Sequence, residues 1–414
     1  MLIEQLIITL VVLLCLSLIA APLARAVRLP YSSVLVVLGF VVSELVVAAG
    51  LDTGLRAHSF QTLIFYVFIP VLVFQSAFYI DKQQLIGNLL PILFLAVLGM
   101  LLTCGITAML LFYGIGHPTG FPWIAALLTG AILAATDPVA VVARLKELHA
   151  PERLGVLLEG ESLFNDATAI VLFSLFLSIA VAMAGAEGSA PPPDVPAIIL
   201  RFCVVFFGGA FVGIAMGWLA GWLSRYFGSV ETTLALMVML AYGSFVITEH
   251  LHLSGVMGVL GAGLAMSMQC AKQGVDDSAV AIEQTWSFMA HVANAIVFLI
   301  VGAVITLSMF EQRWLAMLIA IAAVTLARAC SIYGGMGLIS LFQRQPVSFD
   351  QQRVMVWGGL RGAVTLALAL SLPVSLPYWW TIQSIAFGVV LFTLFVQATT
   401  ITGLVERTEQ RGPG

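Results

Sequence analysis

Six residues in one short region could do chemistry together: Thr136, Asp137, Glu161, Ser162, Asn165 and Asp166. All carry oxygen donors. Pro138 follows Asp137, has no N–H to give and pushes the residue before it out of helical geometry, so a helix here is expected to break near Thr136 to Pro138. In a bilayer, loosened backbone is tolerated only beside protein or a watery cavity, and its freed carbonyls can coordinate a small cation. Downstream, at 100° per residue, Glu161, Ser162, Asn165 and Asp166 fall at about 0°, 100°, 40° and 140°, forming one polar wedge on a helix. Taken singly, Asp-Pro is an ordinary turn and Asn-Asp an ordinary cap. Inside apolar stretches of spanning length the balance changes, because ionisable groups there cost roughly 2.5–3.5 kcal/mol each and persist mainly for function.

The elements that must position these residues are membrane helices. The chain has 414 residues, of which 61% are hydrophobic and 9% charged, against about 25% charged in a soluble domain. Apolar windows recur at 2–21, 31–50, 60–79, 89–113, 121–143, 160–183, 197–223, 231–250, 253–269, 286–309, 314–342, 353–376 and 379–404. The expected fold is therefore an all-α polytopic membrane protein with thirteen transmembrane spans. Loops after odd-numbered spans, with the C-terminal tail, hold Arg25, Arg28, Lys82, Arg144, Lys146, Arg153, Arg225, Lys272, Arg344, Arg353, Arg407 and Arg411, against Arg56, Arg201 and Arg313 on the other side. That bias places the N-terminus outside and the C-terminus in the cytoplasm. The Ala24-Arg25-Ala26 run resembles a cleavage site but lacks a basic region before it, so the first segment is read as a retained helix.

A proline-rich linker, 184–196, divides the chain. The organisation expected within one membrane transport domain is a first repeat at 1–183, a linker and seventh span at 184–230, a second repeat at 231–404 and a short tail at 405–414. The broken fifth span and the twelfth, with Gly358, Gly359 and Gly362 around Arg361, then correspond. Paired interrupted helices at matching positions point to a transporter site at a repeat interface.

Within the membrane, Arg328 and Arg361 stand against Asp137, Glu161 and Asp166, which leaves one negative charge without a fixed partner. One monovalent cation or one proton would neutralise it. The structural alternative is two ion pairs that lock helices together, with the third acid protonated. Glu249, His250, His252, His291 and Asn294 read more readily as helix-contact residues than as a path, and His250 and His252 share no helix face. The cysteines have no paired spacing for a metal or disulfide, and no basic stripe suits nucleic acid.

These residues resemble those of the monovalent cation/proton antiporters that include NhaP-type bacterial and archaeal sodium/proton antiporters and the animal sodium/hydrogen exchangers. The resemblance spans nearly the whole chain and is strongest at ATDP (135–138), GESLFND (160–166), FLIVG (298–302) and GGLRGAV (358–364). It implies that Asp166 is the principal carboxylate exchanging sodium for a proton, completed by Glu161, Ser162, the Thr136 carbonyl and nearby Asp137, with Asn165 as a neighbouring support. The asparagine resembles the electroneutral, one-for-one branch. Arg328 resembles the arginine that pairs with the glutamate of GESLFND, and Arg361 the one in the second broken helix. The implied architecture is two inverted six-helix repeats with crossed broken helices, a homodimer in the cell membrane, an elevator-like motion and no cofactor. Potassium remains an alternative cargo. A cation channel and an intramembrane enzyme are the competing classes; the latter lacks HExxH, GxSxG and an adjacent His–Ser pair.

Overall fold

The structure, a computed structural model, describes all residues except 1–2, 28, 51–62, 116–119, 149, 185–194, 271–276, 342–345 and 411–414. Most of the proline-rich linker, together with Arg28, Arg56, Lys272, Arg344 and Arg411, therefore lies outside the described residues. Helices dominate: α1 (Ile3–Val27), α2 (Tyr31–Ala48), α3 (Ile64–Tyr79), α4 (Leu89–Gly114), α5 (Trp123–Ala134), α6 (Val139–Glu147), α7 (Glu152–Ala184) and α8 (Val195–Phe227). Then come α9 (Val230–His250), α10 (Gly255–Cys270), α11 (Asp277–Val304), α12 (Leu307–Ser340), α13 (Phe349–Trp357), α14 (Ala363–Leu370) and α15 (Trp379–Thr408). Among the described residues, ten helical stretches are long and apolar enough to cross a membrane, and Ile64–Tyr79 and Gly255–Cys270 are shorter apolar helices.

Each apolar window falls on a helix or on a broken pair, and the boundaries move for identifiable reasons. The α7 helix starts at Glu152 rather than 160, because Leu154, Val156, Leu157 and Leu158 of its first turns are already buried in the protein. Arg313 is non-helical (φ −130°, ψ 16°) inside α12, so the window from 314 begins at that kink. Helix α15 continues as far as Gln410, into the region expected to be tail.

Packing sorts the helices into two groups. In one, α8 lies along α10, which also contacts α3 and α9, while α2 packs on α11 and α1 leans on both. Close approach of α8 and α10 requires glycine: a methyl on Gly213 or Gly217 would meet the carbonyl of Gly258 or Ala262. In the other group α4, α5, α7, α12, α14 and α15 surround one another.

Among the described residues, three π turns interrupt these helices, at Ile64–Phe68, Phe94–Gly99 and Thr393–Gln397. Such turns disturb the regular carbonyl ladder, and in each a carbonyl accepts a hydroxyl from a neighbouring helix. Tyr242 Oη donates to Val67 O (3.1 Å), Ser331 Oγ to Gly99 O (2.8 Å) and Ser33 Oγ to Leu394 O (2.9 Å). The last of these joins α2 of the first group to α15 of the second.

Candidate ion-binding site

The break between α5 and α6 occupies Ala135 to Pro138, where the proline predicts it. Four successive carbonyls at the end of α5 lose their helical partners there, and each accepts a side-chain donor. Leu133 O takes Arg361 Nε (3.0 Å), Ala134 O takes Asn165 Nδ2 (3.0 Å), Ala135 O takes Thr365 Oγ1 (3.4 Å) and Thr136 O takes Ser162 Oγ. Arg361 also donates to Gly359 O, so its guanidinium sits at the negative end of the α5 dipole. The second break, Gly358 to Gly362 between α13 and α14, lies directly against the first: Asp137 N donates to Leu360 O at 2.7 Å. The two interrupted helices cross at their breaks.

The polar wedge on α7 divides along its length. Its edge at about 0–40° carries Glu161 and Asn165, and its edge at about 100–140° carries Ser162 and Asp166. Glu161 is 1% exposed and receives both terminal nitrogens of Arg328, Nη2 at 2.9 Å; Nη2 also reaches Met355 O at 3.2 Å. Both carboxylate oxygens are engaged by one guanidinium, and Glu161 is not among the residues that line the cavity beside Ser162 and Asp166. The structure thus does not bring Glu161 into the candidate cation site as a ligand. Asn165 is likewise turned inward, onto Ala134 O and, at 3.3 Å, Thr136 Oγ1.

Ser162 and Asp166 face a cavity of about 510 Å³ that lies between the two helix groups. Thr136 and Asp137 line it with them, beside Gly362 to Thr365. One oxygen of Asp166 has no protein hydrogen-bond partner, whereas Asp137 Oδ1 accepts from Val139 N at 3.2 Å. The opposite wall comes from α3 and α11, through Gln75, Ser76, Tyr79, Glu283, His291 and Asn294. This arrangement can hold a small cation or a proton on a carboxylate that no arginine touches.

The transmembrane sodium/hydrogen exchanger family model matches residues 11–407. The chain belongs to that family. A sodium/proton antiporter of Aphanothece halophytica, ApNhaP, is 36% identical over 381 residues, which cover 92% of this chain and 70% of the relative. The antiporter NhaH of Halobacillus dabanensis is 30% identical over 407 residues and 97% of each chain. The solved structure of the sodium proton antiporter MjNhaP1 from Methanocaldococcus jannaschii superposes with a TM-score of 0.78 at 20% identity, over 97% of this chain and 99% of that one. Membership in a family of exchangers sets aside an intramembrane enzyme.

In this exchanger the cavity wall also carries Glu159, Lys146, Gln75 and Glu283, which lie outside the six residues that the sequence marks. Glu159 was findable: seven residues before Asp166, it lies about 20° from it around the helix. The walls on α3 and α11 carry no signal at the breaks, since they meet the site only through tertiary packing. His291 stacks on Tyr31 (5.2 Å between centroids) and Asn294 lines the cavity, whereas Glu249 accepts from Gly255 N at the start of α10 (3.0 Å), a capping role.

Gly362 is the tightest point of the crossing. A methyl there would fall on the Asp137 carboxylate, whose backbone is fixed to Leu360. Gly362→Ala is expected to cost about 1–3 kcal/mol of stability through overpacking and to reduce transport by displacing Asp137. Thermal unfolding and vesicle transport measured on one preparation check this, and wild-type values for both would mean that Asp137 moves aside freely.

Proposed function

We propose that this protein exchanges sodium for protons across the cell membrane, one for one, by competition at Asp166. The observation that carries the reading is the Asp166 carboxylate, which lines the cavity and has a buried oxygen without a protein partner, while both deep arginines are engaged elsewhere. Ser162, the Thr136 carbonyl and Asp137 complete the cation site, and the Ser162 hydroxyl must turn from Thr136 O for both oxygens to reach an ion. Asn165 supports the α5 end, and Glu161 supports the site through Arg328. A neutral Asn165 leaves Asp166 as the acid that cycles its charge, which favours one-for-one exchange. The relatives named above are sodium/proton antiporters, which favours sodium over potassium.

The chain passes through the membrane thirteen times in two inverted repeats, with the N-terminus outside and the C-terminus in the cytoplasm. The breaks in the fifth and twelfth passes and the bias of lysine and arginine support this. Tyr79, Lys146, Glu159 and Glu283 lie toward the lysine- and arginine-rich side, so the cavity opens to the cytoplasm. Because it separates two packing groups, a shift of one against the other would carry the site to the outer face and break the Ser33–Leu394 bond. A second copy covers the outward apolar faces of α1 and α8, where Leu18, Phe207, Phe211 and Trp218 are exposed.

The test is the form of the pH dependence. A protonated carboxyl is a poor ligand for sodium, so apparent sodium affinity should weaken by up to about tenfold per pH unit below the Asp166 pKa, with maximal rate little changed, over roughly pH 6 to 8.5. Sodium-dependent proton movement in vesicles measures both. Affinity independent of pH would sink competition at Asp166, and sodium flux without proton movement would indicate a channel.

A further inference from the structure

A second cavity lies away from the ion site, between α12, α13 and α15, with a volume of about 710 Å³. Its walls are two helical stripes. Arg353, Val356 and Trp357 stand on α13 at i, i+3 and i+4, and Thr399, Thr400, Gly403, Leu404 and Arg407 on α15 repeat the same face over two turns. Tyr333 of α12 closes the back. The groove is amphipathic along its length: both arginines lie toward the helix ends next to the basic loops, and Val356, Trp357 and Leu404 lie toward the helix interiors.

Its parts are held in place by contacts outside the ion machinery. The Arg353 guanidinium lies over the Phe349 ring at 4.9 Å, and that ring stacks on Tyr333 at 5.1 Å. Asp350 takes one nitrogen of Arg353 at 3.3 Å, while Arg407 makes no ion pair with a described residue. Trp357 Nε1 donates to Thr400 Oγ1 at 2.8 Å and fixes the two walls together. A methyl at Gly403 would meet nothing within 4 Å, so the glycine leaves the groove open. Leu338, Leu341, Phe349 and Val396, on or next to the same helices, are exposed apolar residues.

We infer that this groove binds an anionic phospholipid, with the headgroup phosphodiester between Arg353 and Arg407 and an acyl chain along Val356, Gly403 and Leu404. Two guanidiniums at the membrane surface match a phosphate in charge and in fork geometry, and an apolar slot running inward from them matches the attached chain. A soluble anion would use the arginines and leave the slot unused. A protein partner would have to displace lipid from the exposed apolar residues on either side. Since Trp357 immediately precedes Gly358, bound lipid braces the second broken helix where it meets α15.

The experiment compares thermal unfolding of the detergent-solubilised protein with added phosphatidylglycerol, phosphatidylcholine of the same acyl chains, or inorganic phosphate. Phosphatidylglycerol is expected to raise Tm on the order of 3 °C, the other two not at all. The shift should vanish in Arg353→Ala/Arg407→Ala, which removes the charge, and in Gly403→Leu, which keeps the charge and fills the slot. An equal shift with phosphatidylcholine, an equal shift with inorganic phosphate, or a phosphatidylglycerol shift that survives in either variant would overturn the assignment. If a variant does not fold, native mass spectrometry of the wild-type protein decides: selective retention of phosphatidylglycerol over phosphatidylcholine supports the site, and equal retention overturns it.

Discussion

Asp166→Asn is expected to abolish sodium-coupled proton movement while leaving the protein folded and inserted. The amide keeps a coordinating oxygen but cannot take up or release a proton, so the exchange cycle has no step that returns H⁺. Affinity also falls. A sodium ion about 4 Å from a carboxylate, at an effective dielectric of about 20, gains about 4 kcal/mol, close to a thousandfold in binding. A neutral oxygen ligand such as the Ser162 hydroxyl supplies about 1 kcal/mol on the scale of an ordinary hydrogen bond, so the charge dominates the site. Folding should survive because Asp166 has an oxygen without protein partners, and the substitution breaks no ion pair. The measurement is sodium-dependent pH change inside vesicles, with inserted protein quantified in parallel. Residual coupled exchange would move the proton-carrying role to Asp137, which lines the same cavity.

The parts of the site that were legible in the sequence are those whose signal is covalent or helical. Pro138 dictates a break from its own ring, and the structure breaks there. Arg361 among Gly358, Gly359 and Gly362 marks the second break in the same way, because a run of glycines without side-chain packing does not hold a buried helix. Less legible was the use of each edge of the α7 wedge. Angular position sets Glu161 and Asp166 on opposite edges of one wedge but does not say which edge meets an ion; Arg328 approaches from α12 on one edge and the cavity lies on the other, so partners elsewhere in the chain divide the wedge. The far wall was illegible for a related reason: Gln75 and Glu283 gain meaning only once α3 and α11 are packed against the breaks. The three π turns have no sequence signature in the apolar runs that hold them, and only the hydroxyls of Ser33, Tyr242 and Ser331, each remote in sequence, show why they are tolerated.

Arg328→Ala tests the other deep charge, and its expected effect is on stability. Arg328 and Glu161 are 4% and 1% exposed, and the guanidinium also holds Met355 O at the second break. Removing it leaves Glu161 buried and unpaired, which typically costs about 3–5 kcal/mol. Gly359 adds a packing loss, since its position against Arg328 Nε shows that the side chain fills the space beside the break. A large fall in thermal midpoint is therefore expected, with little change in the relative rates for sodium, lithium and potassium, because the pair does not line the cavity. The double variant Glu161→Gln/Arg328→Met separates charge from packing. With no charge left buried, it should recover part of the lost stability, as replacement of buried pairs by neutral groups often does. Thermal unfolding of the wild type, the single variant and the double variant in one detergent makes the comparison. Unchanged stability in Arg328→Ala would mean that water reaches Glu161 and that the pair belongs to the ion path, whereas a double variant no more stable than the single would assign the loss to packing against Gly359.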